Sequence, residues 1–300
     1  MKAVVTGGHG FVGRHLAHHL AASGIDVVPL DVDGARSLDV TDHDAVVRRI
    51  TEESPDVVYH LAARSHVGES WTGGDALTRV NVDGTRAVVD ACVAAGGPRV
   101  LVVGSSEQYG TVDADALPVD EHTPCRPVSP YGRSKVEAEA VALEAHRVHA
   151  LPVVCTRAFN HTGPGQSPAF LVPGLAARIV AAERDGIDEI TLGNGDPVRD
   201  FTDVRDVVRA YALLAARGVA GEVYNVCSGH GVRVGDIAER LVARATRPLR
   251  IVTATDLVRP VDVPVLVGDP TKLVAATGWQ PEHTLDDTLD AVLDAARRAD

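Results

Sequence analysis

The sequence predicts an α/β fold, a doubly wound parallel sheet with a smaller C-terminal α/β region closing over a ligand. Two features point to it. Short β-branched runs alternate with amphipathic helical stretches through the first half, as parallel strands joined by crossover helices require. A glycine-rich turn, Thr6-Gly-Gly-His-Gly-Phe-Val-Gly13, lies between the first strand and the first helix, where a phosphate-binding turn belongs.

In chain order, residues 3–5 read as a strand, 10–22 as a helix and 27–30 as a second strand, with Pro29 implying a strand end or bulge. Residues 57–59 and 100–103 read as buried strands separated by a helix near 76–95. Residues 129–149 form a long helix with Pro130 in its first turn and Pro152 past its end, followed by a strand at 153–155. Beyond residue 160 glycines and prolines crowd Gly163-Pro164-Gly165 and Gly193-Asn194-Gly195, with helices near 169–183, 204–216, 233–245 and 285–298. The expected division is a dinucleotide-binding domain over 1–160, to which later segments return, and a mainly substrate-binding region over 161–300.

Composition narrows the function. The 300 residues are 45% hydrophobic, enough for a substantial core. Against 29 basic residues stand 41 acidic ones, a formal net charge of −12 that disfavours nucleic acid and anionic membranes as partners. No apolar leader follows the start MKAVVTGGHG and no run approaches a membrane span, so the expected compartment is the cytoplasm. Cys92, Cys125, Cys155 and Cys227 are single, which fits neither a disulfide framework nor a zinc site, and no metal is expected.

The glycines of the first turn let backbone N–H groups approach a pyrophosphate at the helix N-terminus. Asp31 follows the second strand, placed to accept from an adenosine ribose and to repel a 2′-phosphate. NAD is therefore expected; Arg36, close by, leaves NADP open. Ser105 follows the strand at 100–103. Tyr131 and Lys135, four apart on the long helix, share a face. A tyrosine is a poor acid at neutral pH unless a neighbouring ammonium stabilises its phenolate, and Ser105 can hold a substrate carbonyl while Tyr131 moves the proton. Only three of the 29 basic residues are lysines. A lysine at 135 therefore suggests a contact that a planar guanidinium cannot make. A Tyr-x-x-x-Lys spacing alone would describe a solvated face; its company makes it chemical.

With Asp39-Val40, His60-Leu-Ala-Ala63, Asn81-Val-Asp-Gly-Thr85, Ser105-Ser106, Tyr131-Gly-Arg-Ser-Lys135 and Arg157-Ala-Phe-Asn160, the chain resembles the extended short-chain dehydrogenase/reductase family, in its nucleotide-sugar (NAD-dependent epimerase/dehydratase) branch. The likeness runs through Arg199-Asp-Phe-Thr-Asp203 and Arg259-Pro-Val-Asp-Val-Pro264. Within the branch, Ser65-His-Val-Gly-Glu-Ser-Trp71, Gly104-Ser-Ser-Glu-Gln-Tyr-Gly110, Asn160-His-Thr-Gly-Pro-Gly-Gln166 and Tyr224-Asn-Val-Cys-Ser-Gly229 look most like GDP-4-keto-6-deoxy-D-mannose reductases, with GDP-mannose 4,6-dehydratases as close cousins.

The resemblance implies a Rossmann-like fold and roles position by position. Gly7, Gly10, Phe11, Val12 and Gly13 would shape the pyrophosphate turn, Asp31 the ribose site, and Asp39 and Val40 the adenine edge. Leu61, Ala62 and Ala63 would line the cofactor, and Lys135 would grip the nicotinamide ribose. Ser105, Tyr131 and Lys135 would carry the chemistry. Ser106 and Asn160 would bind substrate, and so would Arg199 and Arg259, unless these arginines pair with Asp200 or Asp262. His66 fits either a polar contact with sugar or nicotinamide or plain loop packing. Glu107 resembles the dehydratases' base, yet relatives of both kinds carry it. A homodimer through the helix bearing Tyr131 is also implied. The expected reaction is reduction of the C4 ketone of a nucleotide-linked 4-keto-6-deoxyhexose, GDP-linked by resemblance. A 4,6-dehydratase or 4-epimerase with tightly bound NAD(P) is the enzymic alternative, and a cofactor-binding regulator the non-enzymic one. The chain's shortness and the brief loop after Asp31 speak against the dehydratase. His15, His18 and His19 lack the glutamate of a metalloprotease helix and read as a solvated face.

Overall fold

The computed structural model describes residues 1–34, 36–65, 74–254 and 263–299. Its first half runs β1 (Lys2–Thr6), α1 (Phe11–Ala22), β2 (Asp26–Leu30), α2 (His43–Glu53), β3 (Val57–His60), α3 (Gly74–Thr78), α4 (Gly84–Ala94), β4 (Arg99–Ser105), α5 (Pro130–His149), β5 (Val153–Ala158) and β6 (Asn160–Thr162). There follow α6 (Leu171–Asp185), β7 (Glu189–Leu192), β8 (Val198–Asp203), α7 (Val204–Arg217), β9 (Val223–Val226), β10 (Gly231–Arg233), α8 (Val234–Val242), β11 (Arg250–Thr253), β12 (Val265–Leu266), α9 (Thr271–Thr277) and α10 (Leu285–Ala299).

Six strands form a parallel sheet in the order β2-β1-β3-β4-β5-β9. The winding reverses between β1 and β3, and such a reversal opens a crevice at the carboxyl ends of the strands. Side chains alternate across this sheet. Val4, Val58, Val100 and Val102 pack with α2, α4 and α5, whereas Ala3, Val5, Tyr59 and Leu101 pack with α1, α7 and α9. Residues beyond 160 therefore serve both halves: β9 closes the large sheet, while α6, α8 and α10 share a separate apolar cluster with β7. β8 lies between β10 and β12 and also pairs with β6. Among the described residues no helix is long and apolar enough to cross a membrane.

Pro29 neither ends β2 nor bulges it. β2 is an edge strand paired only with β1, so the missing N–H costs no ladder bond. The helix expected near 76–95 is interrupted: α3 passes into a π-helical turn, Arg79–Asp83, before α4 begins. That turn lets Gly84 press on Val40, where a Cβ would lie 2.8 Å from Val40 Cγ2. α5 begins as its sequence indicates, with Ser129 accepting from Gly132 N–H at 3.0 Å and Pro130 in the first turn.

Trp279 fixes the packing of α7. It is 1% exposed, and its indole Nε1 donates to the Asp206 carbonyl at 2.9 Å. Trp279→Ala should cost about 3–5 kcal/mol, as large aromatic deletions in close-packed cores do. Trp279→Phe should cost clearly less, and thermal melts of the two variants against the parent provide the comparison.

Candidate active site

One cavity of about 890 Å³ follows the carboxyl ends of the large sheet and continues beneath α6 and the β7–β8 loop. Every described residue assigned to cofactor, chemistry or substrate from the sequence lines it: the glycine turn, Asp31, Asp39, Val40, Leu61–Ala63, Ser105–Glu107, Tyr131, Lys135, Asn160 and Arg199. His66 and Arg259 lie outside the described residues.

At one end the glycine turn brings backbones together. Gly7 has φ +69°, and a Cβ there would sit 2.8 Å from Ala62 N; a Cβ on Gly13 would overlap the Gly7 carbonyl oxygen. Gly10 caps α1 without a side chain, leaving the first-turn N–H groups open to an anion. Asp31 accepts from His9 N–H and from Val32 N–H, each at 2.9 Å, which aims its carboxylate across the mouth of the turn. Arg36 is engaged elsewhere: it pairs at 3.3 Å with Glu53, which also takes Lys2 at 2.6 Å. The residues present thus fit a dinucleotide: a cradle that any Cβ would fill, with a carboxylate at its ribose end.

At the centre, β4 ends in Ser105, whose Oγ accepts from Glu107 N–H at 3.2 Å and so caps the short 3-10 turn Ser106–Gln108. Ser105 and Tyr131 both line the cavity. Burial pushes Tyr131 up to about 12; Ser105 opposes that rise and the nearby Glu107 carboxylate adds to it. Lys135 is buried, which pulls it down to about 8, and its Nζ donates to the Val103 carbonyl at 2.8 Å. Here the structure differs from the sequence expectation. The side chain that opposes the rise of Tyr131 is Ser105, and the Lys135 ammonium bonds to the Val103 carbonyl. Glu107 receives a hydrogen bond from Ser129 Oγ at 3.3 Å.

Behind this centre, His60 lies 3% exposed between Thr6, at 2.8 Å from Nδ1, and Thr85, at 3.0 Å from Nε2. Thr85 donates its only hydroxyl proton to the Asn81 carbonyl, so Nε2 donates and Nδ1 accepts. Desolvation pulls His60 down to about 3, and the ring stays neutral.

Several residues escaped the sequence reading. Asn81, the first residue of the Asn81–Thr85 motif, is one: its side chain accepts from Arg64 N–H at 2.8 Å and donates to Arg64 O at 3.1 Å and Ser134 Oγ at 3.0 Å, tying the exit of β3 to α5. Arg178 of α6, outside any motif, lines the far end with Arg199 and Asn194. Glu139 continues the Tyr131–Lys135 spacing by one more turn, the one signal that pointed to it. The expectation of a solvated His15 is corrected. Its Nε2 donates to Pro164 O at 2.9 Å and its ring meets Phe11 edge-on at 5.4 Å, while Phe11 stacks on His161 at 6.3 Å. His18 on the same helix is exposed.

Comparison with known proteins agrees with this geometry. Residues 3–227 match the model of the NAD dependent epimerase/dehydratase family. The chain is similar to GDP-6-deoxy-D-mannose reductase of Pseudomonas aeruginosa, 35% identical over 295 residues that span 97% of this chain and 96% of that one. Among solved structures it resembles RMD from Pseudomonas aeruginosa complexed with NADPH, with a TM-score of 0.91, 34% identity and coverage of 100% and 99% of the two chains. It also resembles UDP-glucose 4-epimerase of Thermus thermophilus in complex with NAD, with a TM-score of 0.90, 28% identity and full coverage of both chains.

The buried ammonium of Lys135 should make dinucleotide affinity depend on pH. An anionic ligand favours the charged form, so binding should be tightest below about 8 and weaken as pH rises through that value, by up to about tenfold per unit. Lys135→Met should bind more weakly and lose this dependence, as a fluorescence titration across pH would show.

Proposed function

The chain belongs to the NAD dependent epimerase/dehydratase family, and from that premise we propose that it reduces the C4 ketone of a nucleotide-linked 4-keto-6-deoxyhexose with hydride from NAD(P)H. The observation that carries the reading is the convergence of Ser105, Tyr131 and Lys135 on one cavity lined by both acidic and basic groups. Asp31 and Asp39 come from the segment after β2, Arg64 from the exit of β3, and Arg178 and Arg199 from α6 and β8. Such a cavity suits ribose hydroxyls at one end and a second nucleotide's diphosphate at the other. The reductase from Pseudomonas aeruginosa supports the choice of reaction.

Bound along the turn, the reduced nicotinamide supplies hydride. Ser105 donates a hydrogen bond to the substrate's carbonyl oxygen, Tyr131 delivers the proton that makes it a hydroxyl, and Lys135 holds the ribose side of the site. Asn160 and Ser106 face the sugar, and Arg199 with Arg178 the diphosphate. Residues 1–160, completed by α7 and β9, form the dinucleotide half of this reading, and most of 161–300 the sugar-nucleotide half. The aim of Asp31, and the commitment of Arg36 to Glu53, favour NADH over NADPH. The family resemblance supports GDP as the substrate's nucleotide and a cytoplasmic homodimer paired through α5.

A second reading, the 4,6-dehydratase, is favoured by one observation: the Glu107 carboxylate lines the cavity beside Tyr131. Turnover separates the two. Given GDP-4-keto-6-deoxymannose and NADH, the protein should consume both in equal amounts; GDP-mannose with NAD(P)⁺ should yield no 4-keto product. Tyr131→Phe should cut turnover by roughly 10²–10⁴ with cofactor affinity retained, and Glu107→Gln should cost little. Conversion of GDP-mannose without net cofactor consumption, abolished by Glu107→Gln, would establish the dehydratase instead. For the cofactor, fluorescence titration should show tighter NADH than NADPH, with Asp31→Ala narrowing the gap; a wild-type preference for NADPH would overturn the assignment.

A further inference from the structure

The geometry points to Gln108, Glu139 and Arg157 as positioning residues for Ser105, a buried polar bridge that holds the end of β4 against α5; the inference rests on the oxidoreductase reading above.

Ser105 N–H donates to Gln108 Oε1 at 2.8 Å, and Gln108 Nε2 donates to Glu139 Oε2 at 2.9 Å. The same carboxylate receives Arg157 through two bonds, Nε to Oε2 at 3.0 Å and a terminal nitrogen to Oε1 at 2.7 Å. Gln108 is fully buried, and Glu139 and Arg157 are 8% and 7% exposed. A carboxylate paired with arginine accepts only, so it fixes which way the Gln108 amide faces: NH₂ toward Glu139, carbonyl toward Ser105. Gly104 leaves the room, since a Cβ there would overlap Gln108 Oε1.

Arg157 is itself braced. Its guanidinium lies 4.9 Å from the Tyr109 ring centroid, and its other terminal nitrogen donates to Glu121 O at 3.2 Å. Tyr109 donates to Asn225 Oδ1 at 2.7 Å, and Asn225 N–H to the Glu121 carboxylate at 2.6 Å. The bridge therefore runs from Ser105 to β9 without a loose member.

Burying such a pair costs desolvation that well-packed apolar side chains would avoid, so stability alone is a poor reason for it. Direction is a better one. Tyr131, Lys135 and Glu139 are four apart on α5, so the helix that carries the proton donor also carries the anchor for Ser105. Through Gln108 that anchor sets where the Ser105 hydroxyl stands relative to Tyr131. Misplacing such a contact by about 1 Å can cost on the order of 10²-fold in rate.

A double-mutant cycle between Gln108→Ala and Ser105→Ala distinguishes positioning from scaffolding. Gln108→Ala alone should lower kcat by roughly 10–100-fold, with cofactor Kd within about twofold. In the Ser105→Ala background the same change should cost no further kcat. Arg157→Lys, which keeps the charge but not the two-point grip, should follow the same pattern more mildly and serves if Gln108→Ala does not fold. Additive losses in the cycle, or a fall in kcat matched by an equal loss of cofactor affinity, would overturn the inference. The cycle is read on whichever NAD(P)-linked turnover the chain shows. Absence of 4-keto reduction thus counts against the proposed reaction and leaves the bridge testable.

Discussion

Three backbone segments meet at the reversal point of the large sheet, and the site depends on how closely they approach. Gly7, at the exit of β1, has no room for a Cβ against Ala62, at the exit of β3, and the first turn of α1 presses Gly13 onto the carbonyl of Gly7. Any side chain at these positions would part the segments and fill the cradle. Glycine costs conformational entropy, which the buried, alternating strands on either side offset through packing. The crevice is thus a product of strand order and missing methyl groups together.

Polar groups at the base of the crevice are held just as tightly. His60, neutral with its tautomer set by Thr6 and Thr85, joins β3 to β1 and α4 without burying a charge. Asn81 does the same between the exit of β3 and α5, and the π-helical turn Arg79–Asp83 supplies the extra residue that brings it into line. One buried ammonium, Lys135, stands among these neutral groups. Its position four residues from Tyr131 made it a candidate; its bond to Val103 shows that spacing fixes the face of a helix and leaves the direction of a flexible head group to the nearest acceptor.

The same distinction separates what the sequence revealed from what it concealed. Motifs that follow strands directly, the glycine turn, Asp31, Ser105 and the Tyr131–Lys135 pair, were legible because their chemistry depends on local order along the chain. α2 was missed because its buried apolar residues, Val46 and Ile50, are few among charges and its cap, Asp42, is an ordinary turn residue. The strands around β8 have two to six residues, too short for an alternating pattern to register. His15 looked solvated because its partner, the Pro164 carbonyl, is 149 residues away. Arg178 and the Gln108–Glu139–Arg157 bridge are likewise products of tertiary contact, invisible to periodicity.

Net charge also misleads if taken as uniform. A chain at −12 repels anions at long range, yet Arg64, Arg178 and Arg199 line its cavity together with Asp31 and Asp39. Fields inside a crevice are set by nearby groups, because charges more than about 10 Å away across solvent are largely screened. In the proposed reaction two anionic nucleotides must enter one cavity in opposite orientations. The glycine turn would hold the cofactor's pyrophosphate, and Arg178 with Arg199 would attract the substrate's diphosphate. The reactive parts of both ligands would then face each other where Ser105 and Tyr131 line the cavity.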